Sequence, residues 1–336
     1  MSSTVINITD NDILSIGVDL GGTNTSIGIV DNQGNIISKK TISSLTESPT
    51  QWRDGVIEVI ENLITEHGAG RRISGIGIGA PCANAITGTI EAATDLPWPS
   101  PIPLVKLFKE KTELPVIVTN DANAAAIGEM IYGVAKGYNN FIVLTLGTGV
   151  GAGVVCDGHL LSGSRGFAGE LGHVTFPFAK GRMCGCGRDG CLQTVASAKG
   201  IVETAMRFLK DKDEPSSLRD IPENNLTAKT IAEEAEKGDR LAEEIFKFTG
   251  ECLGKAAAEF AALTDPQAII LFGGVANAGD LLLKPMIKAF KENSLHLYKN
   301  EVSFFISNIP ESQAAVLGAA SLPFLGSHTT SKNINR

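Results

Sequence analysis

Ile16-Gly17-Val18-Asp19-Leu20-Gly21-Gly22-Thr23-Asn24 is the stretch on which the fold turns. An apolar, β-rich run breaks at two adjacent glycines, the pattern of a strand entering a tight turn. Strands are expected over 14–20, 25–30 and 35–42, the last two separated by the polar turn Asp31-Asn32-Gln33-Gly34, so the chain opens as a meander. The same plan returns at Ile142-Val143-Leu144-Thr145-Leu146-Gly147-Thr148-Gly149, followed by an apolar run over 151–156 and the turn Asp157-Gly158. Strand, glycine turn, strand and polar turn recur in the same order, which predicts two related domains built by duplication.

Between and after these copies, strands and helices alternate, which sets the class as α/β. Trp52, Val56, Val59, Ile60, Leu63 and Ile64 recur at three- and four-residue steps and predict a helix from about 51 to 67 with one face on the sheet. A buried strand is expected over 73–79, a proline-rich loop over 97–103, a strand over 116–119 and a helix over 122–132. Further on, 192–209 and 240–263 read as helices around a charged, proline-containing stretch, 210–226, expected to be an exposed excursion. An apolar strand over 268–272 runs into Gly273-Gly274; another strand over 302–307 and a small-residue helix over 313–321 complete the pattern.

The chain of 336 residues is too long for one small core, so two domains with a cleft between them are expected. Its 43% hydrophobic and 20% charged residues are those of an ordinary globular protein. No apolar run reaches the roughly 18 residues of a membrane span, and the polar start, Met1 to Asp12, lacks the pattern of a signal peptide. A cytoplasmic location without a membrane partner is therefore expected. With 29 basic against 37 acidic residues the net charge is -8, which repels phosphate backbones, so no nucleic-acid partner is expected. Of six cysteines, Cys184, Cys186 and Cys191 crowd together. Cys82, Cys156 and Cys252 stand apart and read as small core fillers.

Three glycine turns at strand ends suit one nucleotide. In Asp19-Leu20-Gly21-Gly22-Thr23, backbone N–H groups without side-chain cover can approach a phosphate, and Asp19 can hold a magnesium ion through water. Leu146-Gly147-Thr148-Gly149-Val150-Gly151 adds Thr148 as a hydroxyl donor, and Phe272-Gly273-Gly274 supplies the third turn. None matches a P-loop or a Rossmann fingerprint. Asn120-Asp121 lies between a strand and a helix, where Asn or Asp caps the helix; a carboxylate there can also accept a hydroxyl proton during phosphoryl transfer. His173 with Cys184, Cys186 and Cys191 offers four ligands for a closed tetrahedral zinc site, and the intervening glycines permit the tight folding of C-x-C. Such a site braces structure and would hold Glu170 near His173.

Asp19-Leu-Gly-Gly-Thr-Asn24, Gly79-Ala-Pro81, Asn120-Asp-Ala-Asn-Ala-Ala125, Leu146-Gly-Thr-Gly149, Gly169-Glu-Leu-Gly-His173 and the cysteines ending at Gly190-Cys191 together resemble the ROK family of sugar kinases and repressors, in order from about 16 to 320. The resemblance implies the two-domain α/β fold of the actin-like ATPase and hexokinase (ribonuclease H-like) superfamily. The expected domains are 1–136 with a C-terminal helix at about 313–336, and 137–312 carrying the zinc site. It implies Mg-ATP held by Asp19, Gly21, Gly22, Thr23, Asn24, Gly147, Thr148, Gly149, Gly273 and Gly274. Asp121 would be the base on a sugar 6-hydroxyl, with Asn120, Glu170 and His173 on other hydroxyls. Zinc would be held by His173, Cys184, Cys186 and Cys191, and a dimer or tetramer is expected by analogy.

Two positions depart from the family pattern. Gln193 stands where sugar-kinase members carry a glutamate, exchanging one acceptor for a donor; it remains a candidate sugar contact. The loop Cys82-Ala83-Asn84 replaces the glycine often found after Gly-Ala-Pro, and its Asn84 is another candidate. Gly88-Thr89-Ile90-Glu91 followed by Asp95-Leu96-Pro97-Trp98 looks like the glucose-kinase form of this region, with Trp98 a loop anchor or a residue near substrate. Other hexoses and N-acetylhexosamines (N-acetylmannosamine, N-acetylglucosamine, mannose, fructose, allose) are alternatives. A sugar-responsive regulator is the rival from another class; the thirteen residues before the first strand are expected to be too few for a DNA-reading helical domain.

Overall fold

A computed structural model describes residues 13–92 and 96–329. The segment read for a leader, Asp95, and the end of the proposed C-terminal helix beyond 329 lie outside the described residues. The chain divides into two compact units, Met1–Gly137 with Leu160–Ala168 and Asn308–Arg336, and Tyr138–His159 with Gly169–Ser307.

In the first unit, β1 (Ile13–Leu20) pairs antiparallel with β2 (Asn24–Asp31), and β2 with β3 (Ile36–Ser43). Helix α1 (Pro49–His67) starts on Ser48, whose hydroxyl accepts the Gln51 N–H, with Pro49 at its first position, where no N–H is needed. Its inner face buries Trp52, Val56, Ile60 and Leu63, and Trp52 meets Phe108 edge-on at 5.7 Å between centroids. Next come β4 (Arg72–Gly79), parallel to β1, the short hairpin β5 (Ala83–Asn84) and β6 (Thr89–Ile90), α2 (Leu104–Lys109), β7 (Val116–Thr119) and α3 (Asp121–Ile131). The sheet order is β3-β2-β1-β4-β7. The C-terminal helix, Glu311–Thr329, lies on this sheet where two strands carry glycine: a Cβ on Gly17 would stand 2.1 Å from the Val316 carbonyl oxygen and one on Gly77 1.9 Å from that of Ala319.

The second unit repeats the plan. Strand β8 (Phe141–Leu146) pairs antiparallel with β9 (Val150–Cys156), beside which lies β10 (His159–Leu160). Helices α4 (Gln193–Ala196), α5 (Ala198–Asp211), α6 (Ala228–Glu236) and α7 (Arg240–Thr264) precede β11 (Ala268–Phe272), α8 (Asp280–Asn293) and β12 (Ser303–Ile306). Both β8–β11 and β11–β12 are parallel, and the order is β10-β9-β8-β11-β12. Position for position this is the first sheet again, as the repeated hairpin pattern predicts. Helix α7 packs on α8 through Gly250 and Gly254, where added Cβ atoms would lie 2.6 and 2.2 Å from carbonyl oxygens of Leu282 and Met286.

The structure corrects several expectations. The helix expected over 192–209 is two helices, because Ser197 adopts an extended conformation and caps α5, accepting the Gly200 N–H. The stretch 210–226 is not simply exposed: it folds into two 3-10 turns that bury Leu218 and Leu226. Its apolar residues are too sparse to show a period, and their burial comes from tertiary packing. Helix α8 was not anticipated, since Pro285 lies within it. Cys252 is buried, but Cys156 is only half-buried, and Cys82 is exposed with φ of 53°, so it fills no core. Trp98 is a buried anchor, its indole N–H donating to the Thr46 carbonyl at 3.0 Å.

Candidate active site and metal centre

Asp19 stands at the end of β1, immediately before a turn closed by the Gly21 N–H donating to the Asn24 carbonyl at 3.1 Å. Gly21 and Gly22 are half-buried, while Thr23 and Asn24 are exposed. Desolvation raises the Asp19 pKa, and the positive charge of Lys39 offsets only part of that. A half-buried, desolvated carboxylate short of positive charge beside a turn of open N–H groups suits a hydrated divalent cation accompanying a phosphate chain.

Asp121 opens α3 at the end of β7. Asn120 is the cap, its side-chain oxygen accepting the Asn123 N–H at 2.8 Å, so the capping expectation holds. Solvent reaches Asp121, yet protein crowds its carboxyl. That desolvation, and then the negative charge of Asp19, push its pKa up to about 7, overriding the pull of the helix N-terminus toward the anion. The structure thus couples the two acids that the sequence separates by a hundred residues. Asn84 is buried and fully engaged: its amide nitrogen donates to the Arg165 carbonyl at 2.8 Å, and its oxygen accepts the Ile86 N–H at 2.9 Å. It ties its own hairpin to the 160–168 segment.

In the second unit, Gly147 donates its N–H to the Gly149 carbonyl at 3.0 Å, leaving Thr148 and Gly149 exposed. Gly273 lies against this turn with φ of 98°, and a Cβ there would stand 2.7 Å from the Leu146 carbonyl oxygen. Two of the three glycine turns are therefore neighbours, and Gly274 begins the short 3-10 helix Gly274–Ala278. Glu170 is exposed and precedes the 3-10 turn Leu171–His173, with the His173 N–H donating to its carbonyl at 3.1 Å. Gly172 permits that turn to press on β9: a Cβ would lie 2.0 Å from the Val150 carbonyl oxygen.

His173, Cys184, Cys186 and Cys191 place one ligand atom each within 4.8 Å of one another. A tetrahedral zinc ion with bonds of about 2.3 Å to sulfur and about 2.0 Å to nitrogen holds two sulfurs roughly 3.8 Å apart, and sulfur and nitrogen roughly 3.6 Å apart. The Cys186–Cys191 sulfurs are 3.7 Å apart, and the Cys184 sulfur lies 3.6 Å from His173 Nδ1. The donor set and its edges fit zinc. Around it, Cys184 N–H donates to the Arg188 carbonyl and Gly187 N–H to that of Cys184, a tight knuckle that Gly187 enters at φ of 85°. Desolvation raises both Cys184 and Cys191, but hydrogen bonds from Cys186, Gln193 and Cys191 outweigh it at Cys184 and bring it down.

A model of the ROK family matches residues 15–323. The chain belongs to the ROK family. Among ROK proteins it is 36% identical to a glucokinase of Halalkalibacterium halodurans, over 90% of this chain and 92% of that one. Its fold, the actin-like and hexokinase plan, matches the crystal structure of a ROK glucokinase from Streptomyces griseus in complex with glucose and AMPPNP. The TM-score is 0.72 and the identity 30%, over 92% of this chain and 98% of that one. The crystal structure of a ROK family transcriptional regulator superposes with a TM-score of 0.82 at 26% identity, covering 94% of this chain and 78% of that one. No helix among the described residues is long and apolar enough to cross a membrane.

Sequence reasoning passed over Thr119 and Asn123. Both are buried beside Asp121 in the chain, and Thr119 Oγ1 and Asn123 Oδ1 have no hydrogen-bond partner among the described residues. It also missed Arg182, buried under the knuckle, whose guanidinium donates to the carbonyls of Thr194 and Gly200 and to the Thr204 hydroxyl. Arg182 stands two residues before the cluster, and nothing in the sequence pattern shows that it ties the knuckle to α5.

Proposed function

We propose that this ROK protein is an ATP-dependent glucokinase, phosphorylating D-glucose at its 6-hydroxyl. The observation that carries the reading is Asp121: a carboxylate at a strand end, with its pKa raised to about 7, poised between proton acceptor and donor at neutral pH. Asp121 accepts the proton of the 6-hydroxyl as that oxygen bonds to the γ-phosphorus of ATP. The bond to the bridging β–γ oxygen breaks, and ADP leaves. Asn120, Glu170 and His173 hold other sugar hydroxyls, and Asn84 and Gln193 are assigned to the sugar site as well, Asn84 by ordering the 160–168 segment. The turns at Gly21-Gly22-Thr23-Asn24, Gly147-Thr148-Gly149 and Gly273-Gly274 bind the nucleotide. Magnesium, held by Asp19 through water, would neutralise charge on the phosphates.

Zinc at His173, Cys184, Cys186 and Cys191 would fix the Glu170–His173 turn without taking part in chemistry. Free thiols across the chain agree with a cytoplasmic enzyme, and a homodimer or homotetramer is assigned by family analogy. The glucokinase names of relatives at 33–36% identity support glucose as the substrate. ADP release with D-glucose, mannose, fructose, N-acetylglucosamine and N-acetylmannosamine, compared as kcat/KM, tests it: glucose should lead. Preference for another sugar moves the substrate and keeps the kinase. The likeness to a regulator favours a second reading, a sugar sensor, which no turnover together with salt-sensitive, sequence-specific DNA binding would establish.

A further inference from the structure

Gln193 follows the cluster residue Cys191 by two positions and starts α4. Its amide nitrogen donates to the Cys184 sulfur at 2.9 Å. Its Oε1 borders the second glycine turn, 3.2 Å from where a Cβ on Gly149 would stand. The orientation is fixed by chemistry: reversing the amide would set its oxygen, an acceptor, against a metal-bound thiolate, which has no proton to give. Just beyond α4, the first residue of α5 returns to the turn, where the Ala198 N–H donates to the Gly147 carbonyl at 2.9 Å. Position 193 therefore lies between a cluster sulfur and the Gly147–Gly149 turn, with its own amide on the sulfur and the start of α5 fastened to the turn.

We propose that Gln193 is a positioning residue of the metal centre: its N–H holds the Cys184 thiolate, and its side chain braces the Gly147–Gly149 turn, so that zinc loading sets the order of that turn. The inference rests on the zinc reading of the cluster, and its test needs neither sugar nor turnover. A partner on a ligating thiolate orients it and drains part of its charge, and loss of such a partner lowers metal affinity about 10- to 100-fold. Gln193→Met keeps the length and removes the donor. Gln193→Leu removes the donor and the acceptor and should weaken zinc to a similar extent.

The test is zinc affinity by competition with a chromophoric chelator, together with backbone amide exchange over 146–149, in wild type and both variants, with melting curves confirming that each is folded. A ten- to hundredfold weaker zinc site in both variants, with faster exchange over 146–149 in both, is expected. Zinc affinity within twofold of wild type in both variants, or exchange over 146–149 that stays at the wild-type rate when zinc is weakened, overturns the proposal. A wild-type chain that binds no zinc overturns it together with the zinc assignment, while leaving the kinase reading standing.

Discussion

The sheets of the two units share one strand order and end in equivalent turns, yet they differ at a single position of consequence. Asp19 pairs with Ser26 one step before the first turn, and Thr145 pairs with Gly151 one step before the second. The first sheet thus carries a desolvated carboxylate where the second carries a neutral hydroxyl. Asp121, the second acid, lies on the first unit too, and Asp19 is the charge that helps raise its pKa. The second unit devotes its long connection after β9 to the cysteine knuckle, and its Gly147–Gly149 turn between β8 and β9 is pinned by the start of α5 and by Gly273. Duplication supplied the scaffold twice, and the acids that define the proposed chemistry were kept on one copy.

The strongest break in that comparison is Asp121→Asn, expected to lower kcat about 10²- to 10⁴-fold with sugar binding, read by calorimetry, nearly intact. The same variant should melt higher than wild type at pH 8. Because the folded pKa of about 7 exceeds the ordinary value of 3.8, the folded chain holds a proton that the unfolded chain releases between those values. Stability from this group is therefore present at low pH and is lost as pH rises through 7. On the second unit, Cys191→Ser should abolish zinc binding, read by metal analysis, and lower stability on the order of several kcal/mol, as should chelation of the wild-type protein.

Asp19→Asn makes the first turn resemble the second, and kcat/KM for Mg-ATP should fall about 10- to 100-fold. Smallest are the glycines. Gly273→Ala should cost about 1–3 kcal/mol in denaturant melts, being at positive φ against the Leu146 carbonyl. Gly147→Ala, with open space around its Cβ, should stay within about 0.5 kcal/mol.

Much of this was legible from short-range pattern. The glycine turns, the Asn120 cap and the His-Cys cluster each write their chemistry into a few consecutive residues, and the repeated hairpin announces both sheets. What escaped depends on contacts between distant segments. Ser197 breaks a helix that periodicity would continue, Leu218 and Leu226 are buried by neighbours outside their own stretch, and nothing in the residues around Gln193 announces that its N–H reaches the Cys184 sulfur. The coupling of Asp19 to Asp121 is likewise a product of β1 and β7 lying in one sheet, flanking β4.

The most direct test of that coupling is the pH dependence of kcat/KM for D-glucose in wild type and Asp19→Asn. A base works deprotonated, so wild-type kcat/KM should be low in acid and rise through an inflection near pH 7 to a plateau. In Asp19→Asn the inflection should move to lower pH yet remain above 3.8, since desolvation is the larger cause. A profile flat from about pH 5 to 9, or an inflection that does not move when Asp19 loses its charge, would contradict the assignment of Asp121 as the base.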